Sequence, residues 1–284
     1  MIGILDIGSN TIRLVTYENG EKISNISINS EILKDTVNKK LTVLGTQKLC
    51  RGINALKKEA GNIKIYAFAT FAFRELLNCD EVQEKIQNQT QIKVEILSGK
   101  DEAECDFYAL LKEIEKDETG IGIDLGGGSG QIFSFSEGKL CEYNSYPIGC
   151  KKIKERFVKG VFPTDEEKEK IEEYLKGFVG ELNIKSEKIY MIGGSAKTAE
   201  KMYSFIKGQK NSGDIPVKEL DSIIDFIEQA PEELMKNVLK ARYDNIVVGI
   251  IIMEYIANIC GAEKICVKKC SVRDGYIIKK KIGT

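Results

Sequence analysis

Two stretches of the chain repeat one pattern of apolar strands and polar turns. The first carries the turn DIGSN at residues 6–10 and an Asn-Gly pair at residues 19–20. The second carries DLGGGS at residues 124–129 and a Glu-Gly pair at residues 137–138. Alternating apolar and polar positions bounded by such pairs are typical of β-hairpins. Each stretch therefore predicts three consecutive strands joined by tight turns.

After each set of three strands, helices alternate with single strands. The first half predicts helices at about 40–60, 71–90 and 101–116 and strands at 63–69 and 92–97. The second half predicts helices near 149–158 and 164–182 and strands at 188–192 and 264–267. Hairpins followed by crossover helices give a mixed sheet with helices on its faces. We therefore expect two α/β domains, residues 1–119 and 120–284, divided in a polar stretch.

Composition limits the classes of function. Hydrophobic residues make up 42% and charged residues 30% of the chain, as in ordinary globular proteins. No apolar run reaches the roughly 18 residues of a membrane span, and the N-terminal residues show no basic region of a signal peptide. A net charge of −1 gives no broad field for nucleic acid. A cytoplasmic location without a membrane or nucleic-acid partner is expected.

The chain has no histidine and eight scattered cysteines without a CxxC pair. Without histidine, Ser-His-Asp and Cys-His nucleophile systems and His-ligated zinc are excluded. The cysteines are interpreted as reduced, partly buried thiols. Chemistry must therefore rely on carboxylates, hydroxyls, backbone amides and basic side chains.

The second turn has the residues of an anion-binding loop. Gly126, Gly127 and Gly128 let the backbone approach a ligand closely, and N–H groups there and at Ser129 can cradle phosphate oxygens. Asp124 would repel those phosphates unless Mg²⁺ (or Mn²⁺) lies between them. The alternative is a glycine-rich hairpin turn capped by an aspartate.

The first turn follows the same plan with a single glycine. Asp6 ends the strand, Gly8 makes the turn, and the side chains of Ser9 and Asn10 can donate to phosphate. The alternative is an Asx-type turn that only closes a hairpin.

Residue identity extends these turns to a family resemblance. DIGSN followed by Arg13 and Leu14 resembles the first phosphate motif of the exopolyphosphatase/guanosine pentaphosphatase (Ppx/GppA) family. Further segments are similar to that family in the same order: ATFAFRE (69–75), LSGKDEAE (97–104), YPIGC (146–150), IGGSA (192–196) and SVRDG (271–275). The resemblance implies two tandem actin-like ATPase (ribonuclease H-like) domains, each with a mixed five-stranded sheet flanked by helices, and a cleft between them. It also implies the short two-domain form, because the chain has no histidine for an HD-type metal domain.

The resemblance assigns the catalytic carboxylate to Glu102. Ser98 and Asp101 are spaced as a capping box, which places Glu102 in the first turn of a helix. Arg74 is the candidate phosphate clamp, since a guanidinium pairs bidentately with phosphate oxygens. The alternatives are a first-turn glutamate that complements the helix dipole and a solvated arginine.

One departure from the family pattern bears on metal binding. The family usually has Thr-Glu after the second glycine turn, where this chain has Gly130 and Gln131. Gln131 can still contact a metal or its water through the amide oxygen, but it adds no negative charge. Asp124, Asp6 and Gln131 are therefore the candidate metal residues, with weakened turnover as one expectation. Arg273 and three lysine clusters, at 151–154, 197–201 and 279–281, are left without an assigned role.

The resemblance implies a Mg²⁺-dependent phosphoanhydride hydrolase that releases the terminal phosphate of inorganic polyphosphate or pppGpp. Polyphosphate and guanosine penta- or tetraphosphate are the expected ligands, and a homodimer is left open. The first alternative is a catalytically weak polyphosphate- or alarmone-binding protein of the same family. The second is a kinase-like member, for which the sequence shows neither an adenine pocket nor an acceptor site.

Overall fold

The computed structural model describes residues 1–9, 11–30, 32–180, 182, 184–210 and 213–282. Its contacts divide the chain into two compact units. Unit 1 comprises Met1–Glu102 with Ile277–Thr284, and unit 2 comprises Ala103–Tyr276. Each has its own sheet and apolar core.

Unit 1 is built on the predicted five-stranded mixed sheet. Its strands are β1 (Ile2–Ile7), β2 (Thr11–Glu18), β3 (Glu21–Asn29), β6 (Lys64–Ala69) and β7 (Val94–Ile96), in the order β3-β2-β1-β6-β7. The first three strands are antiparallel, whereas β6 and β7 run parallel to β1. A small hairpin of β4 (Thr36–Val37) and β5 (Lys40–Leu41) stands apart from this sheet.

Both predicted hairpin turns have the backbone that their sequences require. Asn19 and Gly20 have φ angles of 51° and 84°, and Glu137 and Gly138 have φ angles of 50° and 73°. Positive φ at both central positions matches the right-handed twist of the flanking strands. The two turns therefore fix where β3 and its counterpart in unit 2 begin.

The helices of unit 1 differ from the predicted ones mainly at their ends. They are α1 (Val43–Ala60), α2 (Phe71–Arg74), α3 (Cys79–Thr90) and α4 (Gly99–Leu110). The predicted helix at 71–90 is two helices, because the chain leaves helical geometry at residues 75–78. The predicted end of α4 near 116 was wrong: the helix ends at Leu110, and the N–H groups of Lys112 and Glu113 make i→i−3 turn bonds instead.

Unit 2 repeats the plan with one strand more than predicted. Its sheet contains β8 (Gly120–Leu125), β9 (Gly130–Ser136), β10 (Lys139–Tyr146), β11 (Lys188–Ile192), β12 (Asp214–Pro216) and β13 (Lys264–Val267), in the order β10-β9-β8-β11-β13-β12. The five-stranded prediction missed β12, which has three residues and pairs antiparallel at the edge. Pro216 is tolerated there because an edge strand can spare an N–H group.

One of the helices of unit 2 is almost wholly apolar. The helices of this part of the chain are α5 (Cys150–Phe157), α6 (Asp165–Val179), α7 (Gly194–Ile206), α8 (Leu220–Gln229), α9 (Glu232–Leu239), α10 (Ile246–Cys260) and α11 (Val272–Lys279). Eleven residues of α10 are buried, as expected for a helix that is apolar on every face. No single helix in the described ranges is long and apolar enough to cross a membrane, although the bent pair Glu232–Arg242 and Ile246–Cys260 meets the length and composition test together.

The division into units differs from the predicted boundary between residues 119 and 120. It falls within α4 after Glu102, and again within α11 after Tyr276. Beyond Glu102, Phe107 and Leu110 share an aromatic cluster with Phe133 and Phe135 of β9. The core of unit 2 therefore includes residues that come before the polar stretch from which the boundary was predicted.

Candidate active site

The first phosphate turn follows β1 in unit 1. Asp6, near the end of β1, pairs in register with Arg13 on β2, and the N–H of Gly8 donates to the Thr11 carbonyl oxygen at 3.0 Å. Ser9 is buried, and Asn10 lies outside the described residues. A Cβ on Gly8 would come no closer than 3.4 Å to the Thr11 oxygen. The packing of the turn does not require glycine, so its bare backbone leaves space for a ligand.

Arg74 and Glu102 form an ion pair in unit 1. One guanidinium nitrogen, Nη1, donates to Glu102 Oε2 at 2.8 Å and to the Leu97 carbonyl oxygen at 2.9 Å. The side chains of Arg74 and Glu102 are only 20% and 10% exposed. The predicted clamp and the predicted catalytic carboxylate are therefore brought together, and the arginine fixes one carboxylate oxygen.

A capping box positions Glu102 in the first turn of α4, as predicted. The Asp101 N–H donates to Ser98 Oγ at 3.1 Å, and the Ser98 N–H donates to Asp101 Oδ2 at 3.2 Å. The N–H of Glu102 donates to the Ser98 carbonyl oxygen at 3.0 Å. These bonds satisfy the first N–H groups of the helix and set the direction in which Glu102 leaves the backbone.

Hydrogen bonds also determine the charge state of Asp101. Burial raises its pKa, but hydrogen bonds from Lys279 and Ser98 outweigh burial and lower the pKa to about 2. Asp101 is therefore an anion at neutral pH, and its charge lies at the positive end of the α4 dipole.

The second phosphate turn, in unit 2, is held against the start of α5. The N–H of Gly126 donates to the Ser129 carbonyl oxygen at 3.0 Å, closing the turn. The N–H of Cys150 donates to the carbonyl oxygen of Gly126, and the N–H groups of Lys151 and Lys152 donate to that of Gly127, each at 3.0 Å. The α5 N-terminus therefore holds two carbonyl groups of the turn.

The same bonds also determine the direction of the N–H groups in these peptides. The C=O and N–H of a trans peptide point in opposite directions, and no peptide bond of the described chain is cis. The N–H groups of Gly127 and Gly128 therefore point away from α5, and neither has an acceptor within the described residues. Two N–H groups presented side by side are the elements of an anion-binding nest.

The glycines at this turn serve different purposes. A Cβ on Gly149 would lie 2.4 Å from the backbone of Gly127, so packing alone requires glycine there. A Cβ on Gly127 would meet nothing closer than Lys151 Cβ at 3.8 Å. The fold does not require glycine at position 127, which again favours close approach of a ligand.

Gln131 is the buried partner of two serines. It lies opposite Asp124 across the β8–β9 hairpin and is 1% exposed. Its amide nitrogen donates to Ser129 Oγ at 3.0 Å and to Ser145 Oγ at 2.9 Å. The amide thus ties the glycine turn to β10 through its nitrogen, and it brings no negative charge to Asp124.

Sequence reasoning missed Arg242 in this part of unit 2. Its Nη1 donates to Ser195 Oγ at 3.0 Å, and the Cys150 thiol lies 3.2 Å from the same oxygen. Gly193, which precedes α7, has a φ angle of 92°, and a Cβ there would lie 2.3 Å from Asp124 Oδ1. Arg242 therefore adds a positive charge to the region of unit 2 that contains Asp124. No local sequence motif identifies Arg242, since its partner Ser195 lies 47 residues earlier in the chain.

One lysine of each cluster contacts another part of its own unit. Lys154 donates to the carbonyl oxygens of Gly160 and Val161, and Lys197 donates to those of Lys269 and Cys270. Lys279 pairs with Asp101. These lysines therefore stabilise the fold at loops and helix ends, and Arg273 lies half-buried in the first turn of α11.

The residues present restrict how a divalent metal could bind. Over the described ranges, no three His, Cys, Asp or Glu side chains cluster closely enough to hold a metal ion. In unit 2, Asp124 offers a carboxylate and Gln131 an amide group. Mg²⁺ often binds through one or two carboxylates together with substrate phosphates and water. The donor set fits Mg²⁺ held jointly with a phosphate ligand and does not form a protein-only site.

Comparison with known proteins points to one family. The model of the Ppx/GppA phosphatase family matches residues 22–281. The bifunctional 3-dehydroquinate synthase/phosphatase of Fusobacterium nucleatum is 27% identical over 97% of this chain, which spans 46% of that relative. Exopolyphosphatase 1 of Mycobacterium leprae is 22% identical over 98% of this chain and 89% of its own length.

The solved structures confirm the predicted fold. The crystal structure of the Aquifex aeolicus member of the Ppx/GppA protein family covers 99% of this chain and 97% of its own, with a TM-score of 0.81 at 20% identity. The two mixed sheets with flanking helices are thus the actin-like architecture of those structures. With a family match over nearly its whole length, the chain belongs to the Ppx/GppA phosphatase family.

Proposed function

We propose that the protein is a Mg²⁺-dependent phosphoanhydride hydrolase that releases the terminal phosphate of inorganic polyphosphate or pppGpp. Family membership supports hydrolysis of a phosphoanhydride, and a relative named exopolyphosphatase supports polyphosphate as substrate. The proposal rests on one observation in particular. Glu102 is a nearly buried carboxylate with one oxygen held by Arg74 and its backbone held by a capping box.

Glu102 is assigned the role of orienting and deprotonating the attacking water. Such a group must keep a fixed direction, because in-line displacement depends on alignment of the water with the scissile bond. The bond from Arg74 fixes Oε2. Arg74 thus orients the general base, and we retain it as the phosphate clamp of unit 1.

The two glycine turns are assigned to phosphate binding, each in its own unit. Gly8, Ser9 and Asn10 would form the phosphate turn of unit 1, and Gly126 to Ser129 that of unit 2. The N–H groups of Gly8 and Gly126 close these turns, so the groups that follow them would contact the phosphate. Asp124 would organise Mg²⁺, with Asp6 and Gln131 as further candidates. The metal would supply charge neutralisation at the phosphate oxygens. The protein supplies preorganised N–H groups, which need no rearrangement when charge develops.

Substitution of Glu102 by Gln tests this assignment, with Glu81→Gln as the matched control. Glu81 also lies in the first turn of a helix of unit 1, but it is exposed and pairs with Lys85. We expect Glu102→Gln to lower phosphate release at least about 100-fold, the typical contribution of a general base, and Glu81→Gln to stay within about twofold. Near-normal phosphate release by Glu102→Gln would contradict the assignment of Glu102 as the general base.

The choice of substrate needs a direct comparison. Phosphate release from polyphosphate and from pppGpp, each with and without Mg²⁺, separates the two proposed substrates and tests the metal requirement. Release that is independent of added Mg²⁺ after chelation would contradict the metal part of the proposal. Release from only one substrate would identify that substrate.

A second candidate function is a receptor for polyphosphate or guanosine alarmones with weak turnover. It is favoured by Gln131, a buried neutral residue opposite Asp124. The amide nitrogen of Gln131 donates to the hydroxyls of Ser129 and Ser145. Calorimetric binding of either ligand without phosphate release at any Mg²⁺ concentration would support the receptor. Multiple-turnover release would exclude it.

A further inference from the structure

The C-terminal segment of the chain belongs to unit 1 and contacts the start of α4 there. Lys279, at the end of α11, donates to Asp101 Oδ1 at 2.5 Å, although the two residues are 178 positions apart. The side chains of Lys279 and Asp101 are 19% and 39% exposed. A long-range ion pair therefore holds the residue that immediately precedes Glu102.

Lys279 and Ser98 use different oxygens of the same carboxylate. Lys279 binds Oδ1, whereas the hydroxyl of Ser98 donates to Oδ2 at 2.6 Å and its N–H donates to Oδ2 at 3.2 Å. With Oδ1 held by the ammonium group, the carboxylate plane is fixed and Oδ2 faces Ser98. The ion pair therefore acts on the geometry of the capping box.

The capping box in turn controls both members of the Arg74–Glu102 pair. Glu102 donates its N–H to the Ser98 carbonyl oxygen, and Arg74 donates to the carbonyl oxygen of the preceding residue, Leu97. A shift of Ser98 would move the backbone support of Glu102 and an acceptor of Arg74 together. Bonds from both members of this pair therefore meet at Leu97 and Ser98, just before α4.

We propose that Lys279 is a positioning residue for hydrolysis, which aligns Glu102 through Asp101 and Ser98. This role rests on the proposed function, because it requires Glu102 to act on the attacking water. The last turn of α11 would then contribute to hydrolysis as well as to packing. Lys279 is proposed as a positioning residue and not as a catalytic one, because the contact that carries its role is the one with Asp101.

The neighbouring Lys280 provides a matched control. It pairs with Glu95 of β7 at 2.6 Å, and both side chains are about 40% exposed. Like the Lys279 pair, it ties the C-terminal segment to another part of unit 1, but its partner lies on β7 and not in the capping box. Removing the charge of Lys280 thus reproduces the loss of one surface ion pair without the proposed alignment effect.

The test compares Lys279→Met, Lys279→Arg and Lys280→Met in the full chain by two readouts. Steady-state phosphate release gives kcat and KM, and hydrogen–deuterium exchange follows the amides of residues 98–104. For Lys279→Met we expect kcat to fall about tenfold, because a slightly misplaced catalytic group loses alignment, with KM within about twofold. Exchange at 98–104 should be faster, Lys279→Arg should restore both readouts, and Lys280→Met should change neither.

A double-mutant cycle with Asp101→Asn checks the route of the effect. Once Asp101→Asn has removed the ionic partner, adding Lys279→Met should lower kcat no further, since residues of one network are not additive. A fully multiplicative second loss would overturn the proposed route.

The outcomes separate this proposal from the proposed function. Unchanged exchange at 98–104 in Lys279→Met overturns the positioning role, whether or not the protein hydrolyses phosphate. Faster exchange with an unchanged kcat in an active enzyme also overturns it. If wild-type protein releases no phosphate from either substrate, the proposed function fails and the catalytic role of Lys279 fails with it. The exchange data then still decide whether Lys279 holds the helix start.

Discussion

The Arg74 guanidinium and the Glu102 carboxylate meet at 2.8 Å, each largely shielded from solvent. A buried carboxylate without its partner is costly, whereas a paired one is tolerated. The pair therefore links a functional group to the stability of unit 1. Changes at either residue should affect both folding and phosphate release.

Removal of the Arg74 charge should destabilise the protein. We predict that Arg74→Met lowers the free energy of unfolding by about 3 kcal/mol, because Glu102 loses its ionic partner in a shielded site. Urea denaturation measures this, with the exposed Arg51→Met in α1 as control. Adding Glu102→Gln to Arg74→Met should recover part of the loss. Equal stability of the Arg74 and Arg51 variants would show that the pair contributes little.

Substitution of Gly127 by Ala should weaken ligand binding and leave folding unchanged. The nearest atom to a new Cβ is 3.8 Å away, so Gly127→Ala should melt within about 2 °C of wild type, as substitutions outside the usual destabilising classes do. A side chain at Gly127 would, however, limit how closely a ligand can approach the backbone of the turn, so calorimetry should show much weaker polyphosphate binding. Gly149→Ala, with a contact at 2.4 Å, should instead unfold the region. Unchanged polyphosphate binding by Gly127→Ala would argue against the glycine turn as a phosphate site.

Restoring a carboxylate at Gln131 should strengthen metal binding. The hydroxyls of Ser129 and Ser145, which now accept from Gln131, can rotate and donate to a glutamate instead. We predict that Gln131→Glu keeps the fold and lowers the Mg²⁺ concentration needed for half-maximal phosphate release. The magnesium dependence of release measures this, and Gln131→Met serves as an uncharged control. A higher Mg²⁺ requirement in Gln131→Glu would contradict the assignment.

The pKa of Asp101 makes a prediction about acid stability. Its folded-state pKa of about 2 lies below the ordinary value of 3.8, because bonds from Lys279 and Ser98 outweigh burial. As pH falls, the unfolded chain takes up this proton first. The contribution of Asp101 to stability is thus full above about pH 5 and is lost as pH falls towards 2.

Carboxyl-carbon NMR can follow this titration residue by residue. Lys279→Met should move the midpoint of Asp101 upward towards 3.8, whereas Lys280→Met should leave it in place. A wild-type midpoint near the ordinary value would show that Lys279 does not bind Asp101 in solution.

Features that depend on neighbouring residues were the predictable part of this structure. The Asn19-Gly20 turn and the Ser98–Asp101 capping box follow from residues at most three positions apart, and both were predicted correctly. The order of hairpins and crossover helices then predicted two sheets, and the resemblance to a family agreed with it. The three-residue strand β12 escaped prediction because it is too short for its periodicity to be seen.

Relations between distant residues were not predictable in the same way. The sequence marked Arg74 and Glu102 separately, but only the packing of α2 beside α4 shows that they form an ion pair. Two further bonds depend on how helices pack: that of Arg242 to Ser195 and that of Lys279 to Asp101. No spacing along the chain predicts either bond. Nor did the sequence show that the amide of Gln131 binds two serines.

Single-turnover hydrolysis tests the central assignment most directly. With polyphosphate bound to excess enzyme in the presence of Mg²⁺, the rate constant of phosphate release reports the chemical step alone. We predict that Glu102→Gln binds polyphosphate as tightly as wild type does and releases phosphate at least about 100-fold more slowly. Equal rate constants for the two proteins would contradict it.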